Sequence, residues 1–314
     1  MTRFRNLPHD WPPMTQLVWG IDLGGTKIEA AIIDPAEPGK ALFRERIPTE
    51  AAYGYEHILN QVARLVRLVE EKSGCGRPVR IGIGTPGNTD PATGLLYHSN
   101  TQCLNGHPLQ NDLAQVLGVE VITANDANCM ALAEARWGAG RHLPTMMGLI
   151  LGTGVGGGLV INGEIVNGRH GIAGEWGQIV LDPEGPESVY GTRGTIESYL
   201  AGPSLERYYQ RLSGVARKLP EIAARAEEGG DPHAKATLDE FVKRFAQGVS
   251  ILINLFDPHG IVVAGGVSNL KVIYSPRMRA ALQKHVFQEN FTTEILPPQL
   301  GDSAGVFGAA MLTV

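Results

Sequence analysis

The segment Asp22-Leu23-Gly24-Gly25-Thr26-Lys27 places a carboxylate, two adjacent glycines, a hydroxyl and an ammonium group side by side in the chain. Adjacent glycines allow a tight turn whose backbone N–H groups are bare, and such groups can bind an anion. Asp22 is suited to hydrated Mg²⁺, because that ion prefers one or two carboxylates together with phosphate oxygens. The segment therefore predicts a phosphate-binding turn, with an ordinary β-hairpin as the alternative.

A second glycine-rich segment extends from Gly152 to Gly158, and like the first it lies between two strand-like apolar segments. A single glycine-rich segment is weak evidence, but two in the same context strengthen each other. The repetition predicts two lobes that each offer a phosphate-binding loop to a shared cleft. In the second loop we expect Gly152, Thr153 and Gly154 to contact the phosphates.

Asp126 stands between a strand-like segment, Val119 to Thr123, and an alanine-rich helical segment. Phosphoryl transfer to a hydroxyl group requires a carboxylate that accepts the hydroxyl proton, together with positioning and charge neutralisation. A residue at the end of a strand is well placed for that role. The alternative is that Asp126 caps the helix, since aspartate is common at this position.

The elements that must position these groups follow from hydrophobic periodicity. The first half of the chain predicts strands at 17–22, 28–34, 41–48, 79–84 and 119–123, and helices at 54–72, near 109–117 and at 127–137. The first glycine turn joins two strands, whereas the glycine loop of a dinucleotide-binding domain opens a helix. The order therefore favours a two-lobed α/β fold of the actin and hexokinase type, which is ribonuclease-H-like and has a cleft between its lobes.

The second half of the chain restarts with strands at 146–151 and 159–161. A long helix is predicted at 236–256, followed by a buried strand at 260–264 that ends in Gly265-Gly266. Ser275 is a plausible N-cap, because Pro276 follows it at the first helical position. The glycine pair would let a flat ring lie close to the backbone, although a tight strand-to-helix turn also explains it.

Bulk properties limit the function classes. The chain has 314 residues, which favours two lobes, and its net charge of -5 argues against nucleic acid as the main partner. Three widely spaced cysteines form no disulfide or zinc pattern and fit a reducing cytosol. No apolar segment is long enough to cross a membrane. We therefore expect a cytoplasmic protein without a membrane partner.

Taken together, the motifs resemble those of the ROK family of sugar kinases from about Leu17 to the C-terminus. The resemblance rests on the following segments: 22–27 and 152–158 as phosphate motifs, 124–128 as the catalytic segment, 175–178 where the family has Glu-x-Gly-His, 261–266 beside adenosine, and 301–305. Segments 99–101 and 104–106 are most similar to the bacterial fructokinase/mannokinase branch. The lobes would be 17–125 with 300–314, and 126–299, after an N-terminal arm of residues 1–16.

The resemblance implies ATP-dependent phosphorylation of a free hexose at the 6-hydroxyl, with Mg²⁺ and with Asp126 as general base. Fructose or mannose is favoured, and glucose and N-acetylated hexosamines are the alternatives. A homodimer is also implied. The implied sugar contacts are Asn100, Asn125, Asp126, Glu175, Gln178 and Glu197. The implied nucleotide contacts are Asp22, Gly24, Gly25, Thr26, Lys27, Gly152, Thr153, Gly154, Gly265 and Gly266. We expect lobe closure around the sugar, because closure excludes water that would compete as acceptor.

Two other function classes fit the sequence less well. A sugar-responsive repressor of the same family needs a helix-turn-helix domain ahead of Asp22, and we expect no room for one in the residues before it. A sugar-binding protein without activity would be expected to lack Asp126 or a phosphate loop, and the sequence has both. Trp176 is interpreted as a packing residue.

The chain departs from the family pattern at a zinc motif, Cys-x-Cys-Gly-x-x-Gly-Cys-x-Glu. The positions of its four ligands are occupied here by Ser188, Tyr190, Thr195 and Gln178. Hydroxyls and an amide are poor zinc ligands, because zinc favours thiolate sulfur and imidazole nitrogen. We therefore expect no structural zinc. Packing and hydrogen bonds of Tyr190 and Gln178, with Arg193 as a partner for a carboxylate, would hold Glu197 toward the sugar.

Overall fold

The computed structural model describes residues 17–188 and 190–314, so the predicted arm of residues 1–16 lies outside the described residues. The described chain forms two compact units. Unit 1 consists of residues 17–138, 165–173 and 300–314, and unit 2 of residues 139–164 and 174–299.

Unit 1 begins with β1 (Val18–Leu23), β2 (Lys27–Ile33), β3 (Ala41–Pro48), α1 (Tyr55–Ser73), β4 (Arg80–Thr85), β5 (Asn88–Thr89), β6 (Leu96–Tyr97), α2 (Leu109–Leu117), β7 (Glu120–Asn125) and α3 (Asp126–Arg136). Its main sheet has the order β3-β2-β1-β4-β7, antiparallel from β3 to β1 and parallel from β1 to β7. This pairing places Asp22 opposite Glu29 on one side and Gly84 on the other.

Helix α1 covers this sheet with the apolar side chains that the sequence pattern predicts. Ile58, Val62, Leu65, Val66 and Val69 are all fully buried in the core of unit 1. The helix ends at Gly74, whose left-handed backbone suits a residue without Cβ. The predicted helix at 54–72 is therefore confirmed.

Unit 2 contains β8 (Thr145–Leu151), β9 (Val155–Ile161), β10 (Glu164–Ile165), α4 (Ile196–Leu200), α5 (Gly202–Ser213), α6 (Leu219–Glu228), α7 (Pro232–Phe256), β11 (Gly260–Ala264), α8 (Pro276–Gln283) and β12 (Glu294–Leu296). The sheet has the order β10-β9-β8-β11-β12. The β8–β9 pair is antiparallel, and β11 is parallel to both β8 and β12. Both units thus begin with an antiparallel pair joined by a glycine-containing turn.

Helix α9 (Ala304–Met311) belongs to unit 1 and packs on β1 and β4. Two glycines make this contact possible. A Cβ at Gly20 would lie 2.2 Å from the Val306 carbonyl oxygen, and one at Gly82 would lie 1.8 Å from that of Ala309. Any side chain at either position would therefore displace the helix.

The division into units differs from the predicted lobes at the start of α3. The sequence analysis places residues from Asp126 onward in the second lobe, whereas α3 lies in unit 1. The physical reason is packing, since α3 lies against α9 along its length. Residues 165–173 likewise belong to unit 1.

The second glycine-rich segment is shorter than predicted as a loop. Residues 152–154 form the turn, whereas Val155 begins β9 and Gly156, Gly157 and Gly158 pair with β8. Glycine is needed within this strand because a Cβ at Gly157 would lie 2.8 Å from the Trp176 ring. Gly157 therefore makes room for the indole ring of Trp176.

Two helix starts illustrate how capping sets the boundaries. Helix α7 begins at Pro232, earlier than the predicted residue 236, because the Asp231 carboxylate accepts hydrogen bonds from His233 N and Ala234 N, both at 3.0 Å. For α8 the predicted N-cap is confirmed, since Ser275 Oγ accepts from Met278 N at 3.3 Å. Among the described residues, no helix is long and apolar enough to cross a membrane.

Candidate active site

The first glycine turn lies between β1 and β2 and is fixed from the end of β3. Gly24 N donates to Lys27 O at 3.0 Å, which closes the turn. The buried residue Thr49 binds it twice: its N–H donates to Thr26 O at 2.9 Å and its hydroxyl to Gly24 O at 2.5 Å. Gly25, Thr26 and Lys27 stay exposed. The turn is thus held by its carbonyl groups and presents its tip to solvent.

Asp22 precedes this turn and carries the most perturbed carboxyl group of the site. Burial raises its pKa to about 6, and the neighbouring carboxylates of Asp126 and Glu29 add to the rise. The Lys27 ammonium and the Arg46 guanidinium act in the opposite direction. A carboxyl group whose pKa is raised by burial and by neighbouring carboxylates, as that of Asp22 is, would be stabilised in its ionised form by a bound cation.

The start of α9 makes room for the Asp22 carboxylate. A Cβ added at Gly305 would lie 3.1 Å from Asp22 Oδ2. The neighbouring carboxylate, Glu29, is buried and forms ion pairs with Arg44 and with Arg46, the latter at 2.5 Å. Glu29 is therefore compensated by two guanidinium groups, whereas Asp22 and Asp126 are the carboxylates of this group that line a cavity.

A cavity of about 710 Å³ in unit 1 brings several predicted residues together. Six of them line it: Asp22, Gly24, Gly25, Thr26, Asn100 and Asp126. Residues that the sequence analysis did not single out line it too: Leu23, Ala51, Ala52, Pro86, Thr101, Gln102 and Cys103. Lys27 and Asn125 are not among the lining residues. The first glycine turn and the predicted base thus border one cavity, as the predicted phosphoryl-transfer site requires.

Asn125 rather than Asp126 caps α3. Asn125 Oδ1 accepts from Asn128 N at 2.7 Å, and its Nδ2 donates to Asn88 Oδ1 at 2.8 Å. Asp126, the first residue of the helix, is exposed and its Oδ1 accepts from Ala127 N at 2.7 Å. The cap thereby fixes the backbone from which the predicted base projects.

Asn100 lies on a loop whose path is set by two reciprocal hydrogen bonds. Ser99 N donates to Asn105 Oδ1 at 2.8 Å, and Asn105 Nδ2 donates to Ser99 O at 3.0 Å. Thr101 N donates to Ser99 Oγ at 3.0 Å. Asn100 is exposed where it lines the cavity. The loop therefore holds an amide side chain at the cavity edge, where a polyol needs donors and acceptors.

The second glycine turn, in unit 2, is held differently. Gly152 N donates to Gly154 O at 2.9 Å, and Gly202 N at the start of α5 donates to Gly152 O at 2.8 Å. Glu197 Oε2 accepts from Val155 N at 2.9 Å, directly after the turn. Glu197, which is predicted to contact the sugar, therefore also forms a hydrogen bond to the residue that follows the second turn. Residue spacing does not reveal this contact.

Gly265 and Gly266 lie beside the same turn. Gly265 has a φ of +84°, and a Cβ there would lie 2.4 Å from the carbonyl oxygen of Leu151, the last residue of β8. Ser268 closes the turn, because its N–H and its hydroxyl both donate to Gly265 O, at 3.0 and 2.7 Å. The structure thus brings the two glycine motifs of unit 2 together.

Glu175, Gln178 and Trp176 lie on a short 3-10 turn of unit 2. Trp176 is buried and its Nε1 donates to Gly156 O at 2.8 Å, which confirms it as a packing residue. Glu175 and Gln178 are half-buried. Burial raises the pKa of Tyr190, and the nearby carboxylates of Glu197 and Glu175 add to the rise. Glu175, Glu197 and Tyr190 are therefore close enough to interact.

Two of the residues at the positions of the family's zinc ligands, Thr195 and Ser188, form hydrogen bonds within the protein. Thr195 is fully buried and caps α4, where its Oγ1 accepts from Ser198 N at 3.3 Å. Ser188 Oγ accepts from Tyr190 N at 3.2 Å, and Ser188 N donates to Thr192 O at 2.8 Å. Across residues 17–188 and 190–314, no group of three or more His, Cys, Asp or Glu side chains could hold a metal ion.

Comparison with known proteins places this geometry in a family. The chain matches the ROK family over residues 18–314. It is 36% identical over 307 residues to the N-acetyl-D-glucosamine kinase of Haemophilus influenzae (strain 86-028NP), which covers 94% of this chain and 99% of that relative.

Solved structures agree. The ROK hexokinase from Thermus thermophilus has a TM-score of 0.82 and 31% identity, over 94% of this chain and 97% of that one. A ROK family glucokinase from Streptomyces griseus, in complex with glucose and AMPPNP, has a TM-score of 0.76 and 30% identity, over 94% and 98%.

These findings confirm the predicted fold class, the α/β fold of the actin and hexokinase type. They give no support to the fructokinase/mannokinase branch predicted from residues 99–106, because the curated relative bears another sugar in its name. The match extends over nearly the whole described chain and both solved structures are ROK kinases. The chain therefore belongs to the ROK family, the family of sugar kinases that its motifs predict.

Proposed function

We propose that this ROK-family sugar kinase transfers the γ-phosphoryl group of ATP to the 6-hydroxyl of an N-acetylated hexosamine, with N-acetyl-D-glucosamine as the first candidate. The observation that carries the proposal is that Asp126 and the first glycine turn line one cavity in unit 1. The choice of sugar is supported by the 36% identical relative named for it. Glucose is the second candidate, because a 30% identical structure holds it.

Asp126 acts as the general base in this proposal. Its carboxylate accepts the proton of the sugar hydroxyl as that oxygen bonds to the γ-phosphorus and the bond to the bridging oxygen of ADP breaks. Asn125 serves this step indirectly, because its side chain caps α3 and is bonded to Asn88. We assign the remaining sugar contacts to Asn100, Glu175 and Glu197, with Gln178 as a further amide.

Asp22 fits a divalent cation that accompanies ATP. Its carboxyl group has a raised pKa beside Asp126 and Glu29, so a cation would be attracted to it. Mg²⁺ needs only one or two protein carboxylates when phosphate oxygens and water complete its shell. When bound, Mg²⁺ neutralises charge on the phosphates. The exposed N–H groups of the Gly24-Gly25 turn and the hydroxyl of Thr26 would bind phosphate oxygens.

Nucleotide contacts from unit 2 complete the proposal. Gly152, Thr153 and Gly154 form a turn next to Gly265, and an exposed Gly266 follows. We assign the first three to phosphate and the glycine pair to the adenosine, since bare backbone admits a close approach. A homodimer and the absence of zinc remain parts of this proposal.

The test is ADP release in a coupled assay with MgATP and a panel of N-acetylglucosamine, N-acetylmannosamine, glucose, mannose and fructose. The expected result is the highest kcat/KM for N-acetylglucosamine. A highest value for fructose or mannose would restore the branch predicted from sequence. Failure of every sugar to support ADP release would overturn the kinase assignment itself.

The metal content needs a separate measurement. We expect purified protein to contain no stoichiometric zinc by elemental analysis, because hydroxyl and amide groups occupy the ligand positions. Activity with excess Mg²⁺ should be unchanged by a strong zinc chelator. Zinc at one atom per chain, together with loss of activity on its removal, would contradict this part of the proposal.

A further inference from the structure

Three side chains of unit 2, Asp182, Tyr199 and Arg244, form a cluster that the proposed mechanism does not use. The Tyr199 hydroxyl donates to Asp182 Oδ2 at 3.0 Å, and Arg244 Nη2 donates to the same oxygen at 3.2 Å. The Arg244 guanidinium also lies over the Tyr199 ring, 4.1 Å from its centroid. We refer to these three residues as the Arg244 cluster.

Arg244 is unusually constrained for an arginine. Its side chain is 12% exposed, and its Nε donates to Glu240 Oε1 at 2.7 Å, one turn earlier on α7. A guanidinium that forms planar hydrogen bonds and stacks on an aromatic ring cannot be replaced by lysine without losing one of these contacts. The cluster thus connects α7 rigidly to the residues around it.

The cluster is connected to Glu197 through a short α-helix of unit 2, α4. Helix α4 carries both Tyr199 and Glu197, which are two residues apart. Its first residue, Ile196, packs against Gly248 of α7, where an added Cβ would lie 3.0 Å from Ile196 Cδ1. Arg244 contacts Tyr199 near the C-terminal end of this short helix, and Gly248 leaves space for Ile196 at its N-terminal end. The orientation of α4, and hence of Glu197, depends on α7.

The same cluster fixes the loop that leads into α4. Asp182 N and Leu181 N both donate to Gly194 O, at 3.3 and 2.8 Å. Gly194 has a φ of +66°, and a Cβ there would lie 1.6 Å from Asp182 O, so the two backbones are in direct contact. Thr195 then caps the helix. Asp182 therefore binds the Arg244 guanidinium through its side chain and contacts Gly194, in the loop before α4, through its backbone.

We propose that Arg244 is a positioning residue that, through Tyr199 and Asp182, holds Glu197 in the orientation that binds both the second glycine turn and the sugar. The inference rests on the proposed function for its sugar contact. The contact between Glu197 and Val155 N stands without it, at 2.9 Å in the structure. The sequence analysis expected Tyr190, Gln178 and Arg193 to hold this loop and Glu197. In the present proposal, the loop is held by Arg244 of α7.

Unit 2 offers a matched control cluster made of the same residue types. The Tyr209 hydroxyl donates to Asp231 Oδ2 at 2.8 Å, and Arg225 Nε donates to the same oxygen at 3.0 Å. This cluster connects α5, α6 and the start of α7. Tyr209 lies about two turns along α5 from Gly202, the residue of that helix that binds the second glycine turn, and no residue of either turn belongs to the cluster. Tyr209→Phe and Arg225→Met therefore remove the same kinds of hydrogen bond to an aspartate as the test variants, but at residues outside α4.

The first experiment compares steady-state kinetics of Arg244→Met, Arg244→Lys and Tyr199→Phe with those of Arg225→Met and Tyr209→Phe, using N-acetylglucosamine and MgATP. We expect Arg244→Met to raise the sugar KM about tenfold, because misplaced binding groups weaken transition-state and ground-state contacts alike. Tyr199→Phe keeps the stacked ring and should have a smaller effect in the same direction. The control variants should lower the melting temperature without changing the sugar KM.

A second experiment tests whether Arg244 acts through Glu197. In a double-mutant cycle, Arg244→Met should cost little in a Glu197→Gln background, since residues of one network are not additive. Hydrogen exchange at the Val155 amide gives a readout independent of catalysis. Exchange there should accelerate in Arg244→Met and Tyr199→Phe but not in Tyr209→Phe, measured well below each melting temperature.

The outcomes separate this inference from the proposed function. If wild-type protein phosphorylates no sugar, the function fails, and exchange at Val155 still decides the positioning role. If the wild type is active and the cluster variants match the controls in sugar KM and in exchange, the inference is overturned. Full additivity of Arg244→Met with Glu197→Gln would overturn it too. Should Arg244→Met not fold, Tyr199→Phe and Arg244→Lys carry the same comparison.

Discussion

The two glycine turns have the same topological position but are stabilised by different sets of contacts. Each follows the first strand of its sheet and leads into an antiparallel partner. The first turn is held through its carbonyl oxygens by Thr49, and its own residues include an ammonium and a hydroxyl. The second is also held through a carbonyl oxygen, that of Gly152, which accepts from Gly202 N, but in addition a carboxylate, Glu197, binds the N–H of Val155.

This difference shows how one structural unit can serve two purposes. In unit 1 the charged groups are Asp22, on the strand before the turn, and Asp126, at the start of α3, so charge accumulates at the cavity. In unit 2 the charge near the turn is brought by Glu197 from a helix. The first turn is therefore expected to govern phosphoryl transfer, and the second to couple nucleotide and sugar binding.

Asp126→Asn tests the catalytic side of this comparison most severely. We expect kcat to fall about 10²–10⁴-fold, because the amide cannot accept the hydroxyl proton. Binding of the sugar, measured by calorimetry, should persist. Asp34→Asn is the control, since Asp34 also accepts a backbone N–H in unit 1, from Ala36 at 2.9 Å. A variant with more than about half of the wild-type kcat would remove Asp126 from the mechanism.

Glu197→Gln tests the second turn. The amide keeps the size but loses the charge that strengthens hydrogen bonds, so kcat/KM for the sugar should fall about 10–100-fold. The matched control is Glu206→Gln, because Glu206 Oε1 accepts from a backbone N–H of the same unit, that of Leu219, at 3.0 Å. Equal losses in both variants would mean that the effect is one of stability alone.

Asp22→Asn should separate stability from activity at the first turn. The raised pKa means that the folded protein binds the Asp22 proton more tightly than the unfolded chain, so stability falls as the pH rises from about 4 to about 6. Removing the charge should raise the free energy of unfolding above pH 6 by at most about 3 kcal/mol, and by nothing below about pH 4. Activity should be largely lost.

Chemical denaturation at pH 4, 5, 6 and 7 measures this effect. In wild-type protein, added Mg²⁺ should shift the Asp22 titration to lower pH, because a cation stabilises the carboxylate. An Asp22→Asn variant that is less stable than wild type at pH 7 would show that Asp22 is not strained by its burial and its neighbours.

Thr49→Val gives the smallest expected effect. The isosteric change removes the hydroxyl that donates to Gly24 O and should cost about 1 kcal/mol of stability. We also expect the KM for ATP to rise about threefold, since the turn loses one of its two anchors. Thr293→Val, which removes a similar hydroxyl bond to Pro258 O at 2.9 Å in unit 2, should lower stability without affecting ATP.

Local patterns predicted the elements well but not the contacts between distant residues. The strands around the first turn and helix α1 could be predicted from the spacing of apolar residues along the chain. In α1 the apolar residues Ile58, Val62 and Val69 recur at helical spacing, and all three are buried. The assignment of α3 to unit 1 does not, because it depends on packing against α9, far away in the sequence. The same holds for Gly157 of β9, which accommodates the Trp176 ring.

The candidate site shows the same limit. Asp22, Asp126 and the first turn could be chosen from residue type and local context. The sequence analysis considered Asp126 as the N-cap of α3, but the structure shows that Asn125 is the cap. The sequence could not decide between these neighbours, because a cap depends on the side-chain rotamer as well as on the order of residues. Thr49 carried no signal, because a threonine after a strand is common. Arg244 and Tyr199 could not be paired, since nothing in their spacing brings a long helix to a short one.

The close approach of α9 to Gly20 and Gly82 has a consequence for biosynthesis. Strands β1 and β4 emerge from the ribosome early, whereas the helix that covers them and borders Asp22 emerges after all of unit 2. Unit 1 can therefore not be completed during translation until α9 is released. Until then we expect its exposed apolar strands to be candidates for chaperone binding, and a nascent chain halted before α9 should lack the proposed nucleotide site.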